Sequence, residues 1–160
     1  MSIKRIYCDI SATTPLDPRI GEFLIHLNEH IYGNPSSIHR EGQAAKAVVE
    51  KSRRQLANAL NSNPEEIIFT SSGSESNNMV LKGVLKPGDH FITSSYEHPA
   101  ILKVLPFLES KNISTTIVNP DKNGLILSSD IEENINANTR LISIMWVNNE
   151  LGTINPISEI

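Results

Sequence analysis

The sequence predicts an α/β fold, three layers of α/β/α around a mostly parallel sheet. Short β-branched or apolar runs alternate with stretches of helical periodicity, and turn formers separate them. Small-residue or amide-rich segments also follow the strand-like runs, where open α/β sheets place their ligands. The 160 residues suit one domain with a hydrophobic core.

The first helix is expected from Asp17, an N-cap ahead of Pro18, to about residue 30, with Ile20, Phe23, Leu24, Leu27 and Ile31 at helical spacing. Tyr32 to Ser37 is a loop of turn formers. The clearest helix runs over residues 39–61. Ala45, Val48, Val49, Ser52, Leu56, Ala59 and Leu60 line its apolar face, and Asn61-Ser-Asn-Pro64 stops it. Ile67-Ile68-Phe69 reads as a short buried strand, and Glu75 to Gly83 as a helix. Lys86 to Asp89 is a turn, residues 90–93 a strand, and residues 98–109 a helix that Pro106 kinks or ends. Residues 113–118 form a strand, Asn119 to Gly124 a turn, and Ser129 or Asp130 caps a short helix to Asn136. A strand over residues 140–145 follows.

Composition excludes several classes. The hydrophobic and charged fractions, 39% and 20%, are ordinary, and no segment reaches transmembrane length. A formal charge of −4 without a large basic block argues against nucleic-acid or anionic-membrane binding. The lone Cys8 excludes an intrachain disulfide framework, points to a reducing cytoplasm, and reads as a small buried residue. The expected localisation is cytoplasmic.

The chemistry centres on Thr70-Ser-Ser-Gly-Ser-Glu-Ser-Asn-Asn78. A strand ending in small residues that open a helix offers unpartnered N–H groups and a favourable dipole to an anion. Ser72-Gly-Ser-Glu75 equally satisfies the capping-box spacing, so a phosphate site and a plain cap both stand. His98 follows a strand in Glu97-His-Pro99. It can lie on a planar ligand or move protons, or be a helix-start residue donating to a nearby carbonyl. Asn148-Asn149-Glu150-Leu-Gly152 suits hydrogen bonding to a phenolic or carboxylate oxygen, or simply makes a turn. His26 and His30 share a helix face without a third ligand, so they read as surface residues and no metal is expected. The chain stops at Ile160 just after Asn155-Pro-Ile-Ser-Glu159, a helix-start pattern. A fragment, a truncated product or half of a split protein is the expectation, with a short disordered terminus as the other reading.

These segments together resemble the N-terminal part of cysteine desulfurases, pyridoxal-phosphate enzymes of the class V aminotransferase family. The matching blocks are Tyr7-Cys-Asp-Ile-Ser-Ala-Thr-Thr-Pro15, Tyr32-Gly-Asn-Pro-Ser-Ser-Ile-His39 with Gly42, Phe69 to Asn78, Glu97-His-Pro-Ala100 and Val147-Asn-Asn-Glu-Leu-Gly152, in family order. The resemblance implies part of the large domain of a fold-type-I pyridoxal 5'-phosphate-dependent transferase over residues 1–160, with residues 1–15 as an arm lining the active site. It implies that Gly73 and Ser74 bind the cofactor phosphate, His98 stacks on the ring as the catalytic residue, and Asn149 hydrogen-bonds the phenolic oxygen. Ala12, Thr13, Thr14 and Asn34 would line the substrate site. L-Cysteine would give L-alanine and an enzyme persulfide for sulfur transfer and iron–sulfur cluster assembly. The implied partners are a second copy in a homodimer and a sulfur-acceptor or scaffold protein, with no nucleic acid and no membrane.

This sequence departs from the family at Ser72, usually glycine, at Trp146, commonly histidine, and at Cys8, usually aliphatic. The Schiff-base lysine and the persulfide cysteine lie beyond the equivalent of Ile160, so the chain alone is expected to be inactive. Lys4, Lys46, Lys51, Lys82, Lys86, Lys103, Lys111 and Lys122 all read as solvated. The alternative is a non-catalytic phosphate-binding or assembly module, or half of a split class V enzyme with another amino-acid substrate.

Overall fold

Helix signals in the sequence set most of the element ends. The computed structural model describes residues 5–160 and divides into two compact units, Met1–Phe69 and Thr70–Ile160.

In the first unit, α1 spans Pro18–His30. Asp17 caps it, accepting from the Arg19 N–H at 2.9 Å, and Pro18 occupies the first turn, where its missing N–H costs nothing. Helix α2, Arg40–Leu60, begins at His39, whose Nδ1 accepts from the Gly42 N–H at 3.3 Å. It ends at Asn61 in the left-handed region, φ 52°. The face of α2 differs from the expected one. Ala57 is fully buried, whereas Leu56 and Leu60 are exposed.

Ile67-Ile68-Phe69 also departs from expectation. The segment is extended, but it pairs with no strand among the described residues, and Ile68 is 66% exposed. Intrinsic β propensity does not make a strand without a ladder partner. Arg53 holds the segment instead, donating to the Ile67 carbonyl with its guanidinium 4.9 Å from the Phe69 ring centroid. Cys8, expected to be buried, is exposed because its extended segment joins no sheet. Lys4 lies outside the described residues; every other lysine is exposed.

The second unit is layered. Helix α3, Gly73–Val84, leads through the turn at Gly88 into β1, His90–Ser94. Then come α4 (Pro99–Leu102), α5 (Leu105–Ser110), β2 (Ser114–Val118), α6 (Ser128–Asn134) and β3 (Thr139–Ser143). Residues 98–109 do not make one helix. Pro106 cannot donate to the Leu102 carbonyl, so the chain breaks at Lys103–Val104 and the proline sits in the first turn of α5. Helix α6 starts from Leu127 without a side-chain cap, not from Ser129 or Asp130.

The three strands are parallel in the order β2-β1-β3, with Thr93 opposite Ile117 on one side and Ser143 on the other. Strand β1 is buried throughout, as a central parallel strand should be. Phe91 packs with Leu81, Leu85, Leu105 and Leu108 on one face, and Ile92 with Val118, Ile126 and Ile131 on the other. Helices therefore cover both faces, giving the expected α/β/α layering. No helix of the described residues is long and apolar enough to cross a membrane.

His90 ties the amino end of this sheet together. It is 4% exposed, with Nε2 2.8 Å from Thr116 Oγ1 and Nδ1 2.8 Å from Thr139 Oγ1 and 3.0 Å from Asn136 Nδ2. An amide nitrogen only donates, so Nδ1 accepts and Nε2 carries the proton. Burial pushes the imidazole below its ordinary value of 6.5. Its unfolded form then binds the proton first on acidification. Stability from this site is complete above pH 6.5 and is lost as pH falls below it toward the folded value. Urea unfolding at pH 7.5 and 5.5 is expected to show a loss of stability at the lower pH that His90→Gln reduces.

Candidate functional site

The carboxyl ends of β1 and β3 face the same way, so the loops after them share one end of the sheet. Helix α3 runs back against β1, and one groove brings its Asn77 and Val80 beside Ile142 and Ser143 at the end of β3. The amino end of α3 therefore opens on the same side. Gly73 and Ser74, His98 and Asn149 all belong to this end.

At the start of α3 the cap is formed, and other donors of the same turn are left over. Ser72 Oγ accepts from the Glu75 N–H at 3.2 Å, as a cap does. The Glu75 carboxylate reaches past the usual capping-box position and accepts from Ser71 N–H at 2.6 Å and Ser71 Oγ at 2.7 Å. Those bonds, the backbone one first, hold the Glu75 carboxyl below its ordinary value of 4.5. The N–H groups of Gly73 and Ser74 and the Ser74 hydroxyl have no partner among the described residues. Both residues are exposed, and a Cβ added at Gly73 would meet nothing within 4 Å. Serine in place of glycine at position 72 costs nothing here, because its backbone is extended at φ −167°, ψ 163°.

His98 is the N-cap of α4. Its Nδ1 accepts from the Ala100 N–H at 3.0 Å, so it does not donate to a carbonyl as one reading of the sequence expected. The ring stays exposed, and in its neutral form the proton lies on Nε2.

The two asparagines after β3 have opposite fates. Residues 146–155 fold back on themselves, with Val147 bridged to Ile154, and Asn148 fills the inside. Its Oδ1 accepts from Glu150 N–H and Leu151 N–H, both at 2.9 Å, and its Nδ2 donates to the Tyr96 carbonyl at 3.3 Å. Asn149 is exposed at the tip, where Nδ2 lies 3.2 Å from Glu150 Oε1. Gly152 closes the loop at φ 74°.

Two buried residues behind these loops escaped the reading of single motifs. Glu97, 7% exposed, and Asn155, 1% exposed, bond to the ends of β1 and β3. The available signal was weak: a carboxylate beside His98, and an asparagine opening a helix-start pattern.

Ala12, Thr13, Thr14 and Asn34 lie in the other unit. Ala12 and Thr13 belong to a turn in which both N–H groups donate to the Asp9 carbonyl. The Tyr7 hydroxyl lies within hydrogen-bond reach of the Asp9 and Thr13 carbonyls, and Thr14 Oγ1 is 3.3 Å from the Pro15 carbonyl. Asn34 Oδ1 accepts from Ser36 N–H at 2.9 Å. Its backbone carbonyl would clash with any Cβ at Gly42, at 2.7 Å. His26 and His30 are both exposed, with ring centroids 4.7 Å apart, and no cluster of three metal-ligating side chains exists among the described residues.

The chain matches the aminotransferase class V family over residues 6–160. It is 41% identical to cysteine desulfurase IscS of Dictyoglomus turgidum, over 98% of this chain and 41% of that protein. It is 42% identical to the mitochondrial cysteine desulfurase of Saccharomyces cerevisiae, over 97% of this chain and 32% of that one. Its fold matches a structure described as SspA in complex with cysteine, with a TM-score of 0.86 and 39% identity over 94% of this chain and 44% of that one. A NifS-like protein gives a TM-score of 0.88 and 37% identity, over 93% of this chain and 42% of that one. The chain thus spans about two fifths of the length of the first of these relatives. With the parallel sheet, the open start of α3 and the loops after β1 and β3 in place, the chain belongs to the aminotransferase class V family, among relatives that are cysteine desulfurases.

Proposed function

We propose that this chain supplies the cofactor cradle of a pyridoxal 5'-phosphate-dependent cysteine desulfurase. One observation carries the reading. The start of α3 presents the N–H groups of Gly73 and Ser74 and the Ser74 hydroxyl, unpartnered among the described residues, toward open space. Three neighbouring donors at the positive end of a 12-residue helix suit a dianionic phosphate. The Glu75 carboxylate of this turn is held by the N–H and hydroxyl of Ser71.

The other roles follow from what each side chain has left to offer. His98 has committed Nδ1 to Ala100, so the flat ring is fixed and Nε2–H can donate or pass on a proton. Asn149 Nδ2 spends one N–H on Glu150 and keeps the other to hold the phenolic oxygen, since Asn148 makes the bonds inside the loop. Bound pyridoxal phosphate supplies an electron sink for charge developing on a substrate carbon. In this reading Ala12, Thr13, Thr14 and Asn34 line the substrate side, and residues 1–15, of which 1–4 lie outside the described residues, form an arm. L-Cysteine is the substrate, a second copy completes a homodimer, and a sulfur acceptor or scaffold protein takes the product sulfur. The chain alone does not turn over cysteine, because each described lysine is committed to a solvated face or turn.

Titration with pyridoxal 5'-phosphate, read by quenching of Trp146, the single tryptophan, tests the reading. His98→Asn keeps a cap but loses the ring, and His98→Phe keeps a ring but loses the cap. Affinity is expected to fall about fivefold in the first and less in the second, given about 1 kcal/mol for ring contacts. Equal affinity for inorganic phosphate and the coenzyme would instead favour a non-catalytic phosphate-binding module.

A further inference from the structure

The parallel ladder between β1 and β3 ends at Thr93 and Ser143, yet the two chains stay joined beyond it. Glu97 joins them. Its Oε1 accepts from Ser94 Oγ at 2.8 Å, on the last residue of β1, and from the Met145 N–H at 2.6 Å, two residues past β3. The side chain is 7% exposed, so both bonds are shielded from water. A second tie runs parallel to it, from Asn148 Nδ2 to the Tyr96 carbonyl. His98 is the next residue after Glu97, and Asn149 lies four residues after Met145. His98 is thus held on one side through Glu97 and on the other by the Ala100 N–H that its ring Nδ1 accepts.

We propose that Glu97 is a positioning residue: one buried oxygen that bonds to Ser94 and Met145 sets the spacing between the loop bearing His98 and the loop bearing Asn149. The inference rests on the coenzyme reading for its consequence, although the tie itself is a property of the fold. An ionised carboxylate is not required for it, because both bonds end on one acceptor oxygen, which the amide of glutamine also provides. Alanine provides none and leaves the Met145 N–H and the Ser94 hydroxyl without a partner.

Three measurements on the full chain distinguish this role from simple support of the fold. Amide hydrogen exchange at Met145 is expected to quicken about tenfold in Glu97→Ala and to stay within about twofold in Glu97→Gln, the scale of one buried hydrogen bond. Affinity for pyridoxal 5'-phosphate should fall about tenfold in Glu97→Ala and recover in Glu97→Gln. Affinity for inorganic phosphate, held at α3, should not change in either. Ser94→Ala removes one of the two donors and keeps the other, so it should give a smaller effect in the same direction even where Glu97→Ala does not fold. Unchanged Met145 exchange in the alanine variants would overturn the proposal. So would glutamine behaving like alanine, or equal loss of coenzyme and phosphate affinity. Failure of the unsubstituted chain to bind the coenzyme would overturn the coenzyme reading together with the positioning role, whereas binding by wild type and Glu97→Ala alike would overturn the positioning role alone.

Discussion

Replacing Gly73 by proline is expected to weaken pyridoxal 5'-phosphate binding about ten- to a hundredfold while leaving the fold intact, the size of a charge-assisted hydrogen bond at a site of this kind. Gly73 is the first residue of α3, where proline's fixed φ suits the helix and no intrahelical bond needs its N–H. The residue before a proline must be extended, and Ser72 already is, at φ −167° and ψ 163°. A Cβ at this position meets nothing within 4 Å. The substitution thus deletes one of the donors proposed for the phosphate without disturbing the cap, which depends on Ser72 Oγ and the Glu75 N–H.

Stability offers the control. A proline in a compatible backbone restricts the unfolded chain, so the variant should be unchanged or more stable by up to about 1 kcal/mol. Isothermal titration with the coenzyme, beside a thermal melt without it, separates the two effects. Equal coenzyme affinity in wild type and Gly73→Pro would remove the start of α3 from the binding site. A lowered melting temperature would show that the N–H matters to the fold and not to a ligand.

Much of this scaffold was readable because it is written locally. Asp17-Pro18 starts α1, Asn61 stops α2 in the left-handed region, and Asp121 to Gly124 turns the chain with Asp121 Oδ1 accepting from Asn123 N–H and Leu125 N–H. Each signal acts within a few residues and needs no tertiary partner. Ile67-Ile68-Phe69 failed for the opposite reason. Three strand formers specify an extended backbone, but whether a neighbour pairs with them is decided elsewhere in the chain. Pro106 was recognised as a breaker, but it opens α5 after a break at Lys103–Val104, a choice of end that periodicity does not encode.

The site shows the same division. The opening of α3 at Gly73-Ser74 was visible because small residues and a cap set a helix start locally. Residue type alone does not separate Asn148 from Asn149, since both are amides after a strand; the resemblance singles out Asn149, and only the folded loop directs Asn148 inward. Glu97 was passed over for a related reason. Its partners are a hydroxyl three residues back and an amide 48 residues on, and no spacing rule links them.

Asn155 is where the second large effect is expected: Asn155→Ala should cost about 3 kcal/mol, because several buried polar groups lose their partner at once. The side chain is 1% exposed. Its Oδ1 accepts from the Ile126 N–H at 3.0 Å, and its Nδ2 donates to the Met145 carbonyl at 2.6 Å and to the Tyr96 hydroxyl at 2.8 Å. Tyr96 in turn lies 3.0 Å from the Gly124 carbonyl, in a turn whose glycine sits at φ 81°. One amide therefore links the loops after β1, β2 and β3. Asn155→Asp discriminates between this network and mere volume. The aspartate keeps the shape and the acceptor for Ile126 but loses the donor to Met145 and Tyr96, placing a carboxylate against a carbonyl oxygen. It should be at least as damaging as alanine at pH 7, and part of the loss should return on acidification, when the protonated acid regains an O–H donor. For a chain of this length each 1 kcal/mol moves the melting temperature by about 2–4 °C, so both variants should melt well below the wild type. If Asn155→Asp is as stable as wild type at neutral pH, the amide's donor bonds contribute nothing, and the loops bearing His98 and Asn149 would have to be held by Glu97 and Asn148 alone.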